Sequence, residues 1–116
     1  MGPVEAIVAL SEDGSAVALR DHVVPGRVTV FDFHADWCAP CKDLDAHLMQ
    51  VVARHDDVIV RKIDVVDWDS EAAKKHLVNV PNLPYVIVYG ANGRVVARIS
   101  GLRLDELDAA IERGRR

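Results

Sequence analysis

The chain has two cysteines, Cys38 and Cys41, and both stand in one hexapeptide, Trp37-Cys38-Ala39-Pro40-Cys41-Lys42. No third cysteine is left for a structural bridge, so a disulfide-stapled extracellular scaffold is excluded and the pair is catalytic, metal-binding or incidental. A Cys-x-x-Cys pair at the start of a helix has a physical reason to react. Free N–H groups and the positive end of the helix dipole stabilise a thiolate at Cys38, and Cys41, one turn further in, can close a small disulfide ring with it. The first thiolate attacks, and the second resolves the mixed disulfide that results. Cys38 is expected to be the more exposed of the two, because Cys41 is drawn into the packed helix.

The other chemistry-bearing residues are weighed against this pair. As half of a zinc site it would need further ligands such as His34 and His47, but a structural site takes four and a second cysteine pair is missing. His47 reads as a half-exposed helix residue, and His22, His55 and His76 as surface or boundary residues. His34 is different, since it lies four residues before Cys38 and could alter its thiolate fraction. Asp32 falls mid-strand among Val30, Phe31 and Phe33, where a carboxylate is hard to solvate, and this favours a functional role. Trp68 reads as a packing residue where a helix begins, and Arg113, Arg115 and Arg116 as a solvated helix end.

The elements that must position the dithiol follow from periodicity. Residues 4–10 read as a first strand, 11–15 as a turn, and 16–22 as ambiguous between helix and strand. Residues 27–34, rich in β-branched and aromatic side chains, have the pattern of a strand buried on both faces. Leu44, Leu48, Val51 and Val52 then recur at i, i+4, i+7 and i+8, predicting a helix that ends near His55 with Pro40 in its first turn. Residues 58–65 read as a strand and 70–77 as a helix, capped by Asp67, Asp69 or Ser70. The runs 85–90 and 94–100 flank Ala91-Asn92-Gly93, and Asn-Gly between strands predicts a hairpin in which both residues accept positive φ. Leu104, Leu107 and Ile111 close the chain with an amphipathic helix. This order predicts a mixed α/β sheet with helices on both faces.

The segment Phe31-Asp32-Phe33-His34-Ala35-Asp36-Trp37-Cys38-Ala39-Pro40-Cys41-Lys42 resembles the active-site strand and loop of thioredoxin-like thiol–disulfide oxidoreductases, and the resemblance covers nearly the whole chain. It implies an α/β/α three-layer sandwich with a mixed central sheet and a C-terminal hairpin and helix. It also implies roles. Asp32 would be the buried acid that takes the proton from Cys41, and Lys62 the lysine that tunes it. Leu83-Pro84 would be the hydrophobic residue and cis-proline facing the dithiol, leaving the Leu83 backbone free to bond an extended substrate segment. Trp37, Ala39, Pro40 and Gly101 would border the same groove, with Trp37 an exposed apolar contact. The redox-active Cys38–Cys41 pair would need no further cofactor.

Three positions depart from the family pattern: His34 replaces an aromatic residue, Ala39 a glycine, and Tyr85 a small threonine. The stretch His34-Ala35-Asp36-Trp37-Cys38 is also similar to the periplasmic electron-transfer domains attached to membrane reductases. Proline inside the dithiol motif resembles the reducing members, which implies a disulfide reductase acting on protein disulfides and recharged by an upstream reductase or thiol donor. The reading from another class is a thiol-dependent metal-binding or docking module without turnover.

Composition bounds the rest. With 116 residues, half of them hydrophobic, and a net charge of -4, residues 1–116 are expected to form one domain, acting as a monomer, with no basic face for nucleic acid. No run approaches the roughly 20 apolar residues of a membrane-spanning helix. A cytoplasmic home is expected, the alternative being a mature or excised domain of an exported or periplasmic protein.

Overall fold

The fold-defining segment is residues 28–34, where no side chain but the last reaches solvent, as expected for the middle of a sheet. The computed structural model describes residues 4–116. Its strands are β1 (Ile7–Ser11), β2 (Val28–His34), β3 (Val58–Asp64), β4 (Tyr85–Tyr89) and β5 (Val95–Ser100). They form one sheet in the order β1-β3-β2-β4-β5, with β3 parallel to both β1 and β2 and the last two strands antiparallel. The helices are α1 (Ala39–Arg54), α2 (Glu71–His76) and α3 (Leu104–Gly114).

Period-2 alternation along the strands divides the core into two layers. Val28 and Val30 face Leu44, Leu48 and Val51 of α1 and Leu107, Ala110 and Ile111 of α3. Phe31 and Phe33 face the other way, toward Ala72 and Ala73 of α2 and toward both cysteines. The three-layer arrangement follows from this division. α1 and α3 bury one apolar stripe each on one face, and the short α2 covers the opposite face.

Several sequence expectations shift locally. The first strand begins three residues later than expected, although the Ala6 carbonyl already accepts from the Val60 N–H. The ambiguous stretch contains a 3₁₀ turn at Leu19–His22. Of the three candidate caps for α2 it is Ser70 whose Oγ accepts from the Ala73 N–H, at 3.0 Å. Arg115 is not simply solvated, since its Nε donates to Asp57 at 2.8 Å.

The hairpin also corrects a detail. Gly93 has φ of 80°, whereas Asn92 is not in the left-handed region. The Gly93 N–H donates to the Gly90 carbonyl, and the Gly90 N–H to the Arg94 carbonyl. That is the three-residue loop expected at Ala91-Asn92-Gly93, a turn followed by one left-handed glycine. Asn92 contributes through its side chain, which accepts from the Arg94 N–H at 3.0 Å.

Candidate active site

Strand β2 runs directly into the dithiol and stops there for a reason. Cys38 takes an extended conformation, φ -94° and ψ 100°, and becomes the N-cap of α1, while Pro40 sits in the first turn where no hydrogen bond is lost. The Cys38 Sγ accepts from the Cys41 N–H at 3.2 Å. The two cysteines form a disulfide with their Cα atoms 5.4 Å apart. No acidic residue lies in the first turn of α1. The positive end of the helix dipole is therefore left to the Cys38 sulfur, which favours its thiolate when the bond is reduced.

The expected contrast in exposure is small. Cys38 is 5% and Cys41 2% exposed, because Cys38 packs into the same cluster as Phe33, Leu83 and Tyr85. Solvent reaches the motif instead through its flanks, Trp37, Ala39 and Pro40, which are all exposed.

Asp32 lies on β2 with its side chain on the face covered by α1, the parity shared with Val28 and Val30. It is completely buried, and neither carboxylate oxygen has a hydrogen-bond partner. An ionised carboxylate in such a place is costly, so burial pushes this carboxyl up to about 7. The Lys62 charge opposes the rise, and the Asp45 carboxylate adds to it. Lys62 is opposite Asp32 in the β2/β3 register, and its Nζ donates to Asp45 Oδ1 at 2.7 Å. Asp45 is a participant that the sequence reading did not single out. It stands four residues after Cys41, one helical turn along the same face of α1, so the i, i+4 spacing was the signal available.

The peptide bond between Leu83 and Pro84 is cis. Leu83 is buried in the cluster that holds the dithiol, and its backbone N–H and C=O have no hydrogen-bond partner among the described residues. Gly101, with φ of 87°, donates its N–H to the Pro84 carbonyl at 2.8 Å. The cis-proline segment and Gly101 are thus joined, with Leu83 of that segment in the cluster that holds the dithiol.

His34 ends β2 on a surface cleft that it shares with Glu12, Asp36, Lys62 and Asp64. Burial lowers its pKa and Lys62 lowers it further, against the pull of Asp64, Asp45 and Asp36, so the imidazole is neutral near pH 7. The zinc alternative paired His34 with His47, but the latter is held at 2.7 Å by Asp108 on α3. No group of three or more His, Cys, Asp or Glu side chains is placed to hold a metal ion among the described residues. His76 is a half-buried boundary residue, and its ring lies 5.2 Å from that of Phe33.

Trp68, expected to pack, is instead 43% exposed, and its ring centroid lies 6.3 Å from that of Trp37, which is 56% exposed. The Trp37 indole N–H donates to the Val66 carbonyl at 2.6 Å.

Comparison with known proteins gives the same picture. The thioredoxin family model matches residues 16–113. Bovine mitochondrial thioredoxin is 35% identical over 97 residues, a match that covers 81% of this chain and 56% of that protein. The chain thus spans little more than half the length of that relative. Thioredoxin H2-1 of Oryza sativa subsp. japonica is 32% identical over 111 residues, covering 95% of this chain and 78% of its own. In fold alone, thioredoxin f2 from a crystal structure with ferredoxin:thioredoxin reductase superposes with a TM-score of 0.74 at 22% identity, over 99% of this chain and 100% of that one. Sequence match, sheet order, dithiol-capped helix and cis-proline agree, and this chain belongs to the thioredoxin family.

Proposed function

We propose that the chain is a thiol–disulfide oxidoreductase that reduces protein disulfides through Cys38 and Cys41. The observation that carries this reading is the Cys38–Cys41 disulfide at the N-terminus of α1, on the strand–helix unit that also holds the unpartnered acid Asp32. In the reduced protein the Cys38 thiolate attacks a substrate sulfur, the substrate S–S bond breaks, and one substrate thiolate leaves. The Cys41 thiolate then attacks Cys38 Sγ, expels the second substrate thiolate and closes the protein disulfide. Two electrons have passed to the substrate.

Asp32 is the base for the second step. A carboxyl held near pH 7 can accept the Cys41 proton and return it to solvent without a large mismatch in affinity. Lys62 and Asp45 set where that affinity lies. Leu83, Pro84 and Gly101 offer the substrate backbone a docking edge, with Trp37, Ala39 and Pro40 around the attacking sulfur. His34 adjusts the polarity at the strand end. Residues 1–116 act as one catalytic unit and as a monomer, recharged by a thiol donor or an upstream reductase. The solved complex of thioredoxin f2 with its reductase supports a partner of that class. A reductant of this kind fits a reducing compartment such as the cytoplasm.

The test is dithiothreitol-driven reduction of insulin disulfides, followed by turbidity. Catalysis by the wild type, with Cys41→Ser accumulating a covalent mixed disulfide visible by mass spectrometry, is expected. An equal, uncatalysed rate with and without the protein would overturn the proposal.

A further inference from the structure

We infer that Trp37 and Trp68, with the carboxylates around them, form a docking surface for a cationic residue adjacent to the substrate cysteine, so that this protein prefers disulfides flanked by arginine or lysine. The inference rests on the disulfide-reductase reading above and specifies its substrate class.

The surface is built, not incidental. Strand β3 ends at Asp64, and the chain turns sharply at Val66, whose φ of 67° is a left-handed value that a β-branched residue rarely takes. The Asp67 N–H donates to the Val65 carbonyl across this residue, at 2.7 Å, which makes a γ-turn with a strained centre. The Asp64 carboxylate accepts from the Val66 N–H at 2.9 Å and helps hold the turn. The strained turn leaves the Val66 carbonyl bonded to the Trp37 indole N–H and Trp68 beside Trp37, with 46° between the ring planes. Two large indoles and the Val66 side chain therefore lie exposed next to the attacking cysteine, where ordinary packing would bury them.

Charge identifies the occupant. Asp36 precedes Trp37, and Asp67 and Asp69 flank Trp68. All three are exposed, and none is paired with a lysine or arginine among the described residues. Asp36 and Asp64 also line a surface cleft of about 360 Å³ with Glu12 and Lys62, and the one cation there is already engaged by Asp45. An indole face attracts a guanidinium or ammonium group, and unneutralised carboxylates beside it strengthen that attraction and steer the approach. An acidic segment would meet repulsion at the same place.

The experiment compares three peptides that differ only in the residue before cysteine, namely arginine, glutamine or glutamate. Each is supplied as its mixed disulfide with uncharged 2-mercaptoethanol. Rates of oxidation of the reduced protein are read by stopped-flow at low and high salt. The arginine peptide is expected to react on the order of tenfold faster than the glutamate peptide at low salt, with glutamine between them and the ratio collapsing at high salt. Asp67→Asn with Asp69→Asn should bring the ratio to about 2 or below, and Trp68→Ala should lower it as well. Asp56→Asn with Glu112→Gln, an equal charge change elsewhere on the surface, should leave it intact. Because the ratio is internal, loss of folded protein does not mimic the effect. Equal rates for all three peptides, or a ratio that follows net charge wherever it is removed, would overturn the inference while leaving the reductase reading standing. Failure to oxidise the protein with any peptide would sink both.

Discussion

Helices α1 and α2 begin with the same hydrogen-bond pattern and are put to different uses. In α1 the cap is Cys38, whose sulfur accepts from the Cys41 N–H at 3.2 Å. In α2 it is Ser70, whose oxygen accepts from the Ala73 N–H at 3.0 Å. The serine cap cannot be oxidised or ionised near neutral pH, so it only satisfies an orphan amide. The cysteine cap can do both. The first turns differ accordingly: α2 places Glu71 against its positive end, whereas α1 has no acid there. A helix terminus becomes reactive when its cap is a titratable nucleophile and no carboxylate shares the dipole. Below α1 the chain adds a buried acid, whereas among the described residues no buried carboxyl group lies beside α2.

The contrast is broken most completely by Cys38→Ser, which makes the first helix start like the second. Disulfide reduction should fall by more than about 10³-fold, since an alkoxide is not accessible at neutral pH, while thermal melting of the reduced protein changes little because an oxygen cap replaces the sulfur. Retained turnover would show that another group is the nucleophile.

Asp32→Asn removes the acid that distinguishes the two helix environments. Release of the mixed disulfide should slow by about 10²-fold near pH 7, measured in single-turnover experiments. Stability should move the other way. The folded carboxyl titrates at about 7 and the unfolded one at the ordinary 3.8, so between these values the folded state holds more protons and stability falls as pH rises. Below pH 3.8 both states are protonated and the effect is absent. Above about 7 it is complete, a shift of roughly three units or about 4 kcal/mol. Urea melts of Asp32→Asn should therefore show a gain over wild type that grows from pH 4 to pH 7 and then levels. A constant difference across that range would contradict a raised Asp32.

Two smaller changes sharpen the comparison. Ser70→Ala should destabilise the protein by about 1 kcal/mol in urea melts and leave the Cys38–Cys41 potential where it was. Ala39→Glu gives α1 the first-turn acid that α2 has. It should raise the Cys38 thiol pKa and slow alkylation by iodoacetamide a few-fold at pH 7, a dipole-sized effect of about 0.3 to 1 kcal/mol. No change in alkylation would mean that the helix terminus is not what activates Cys38.

Local patterns in the sequence were enough for the cysteine pair at the start of α1, the central strand, the α1 stripe and the buried acid, because each rests on spacing within one element. Asp32 was legible since an acid between Val30 and Phe33 has few ways to be solvated. The cis bond at Pro84 was reached through resemblance, not through the residues themselves. What stayed hidden depends on how elements meet. The Lys62–Asp45 pair joins a strand to a helix, and no periodicity within either predicts it. Trp68 read as a packing residue because a large indole is usually buried, whereas it lies 43% exposed two residues after the γ-turn centred on Val66. The hairpin and its three-residue loop were located correctly, but the left-handed position falls on Gly93 alone and not on Asn92.

The most direct test of the central claim is an equilibrium redox titration of the Cys38/Cys41 pair against dithiothreitol and glutathione buffers. The account predicts a single two-electron transition between dithiol and intramolecular disulfide at about -250 mV or below, in the range of reducing thioredoxins. A transition near about -150 mV would contradict the reductive direction, and failure to form the intramolecular disulfide at all would contradict the oxidoreductase reading itself.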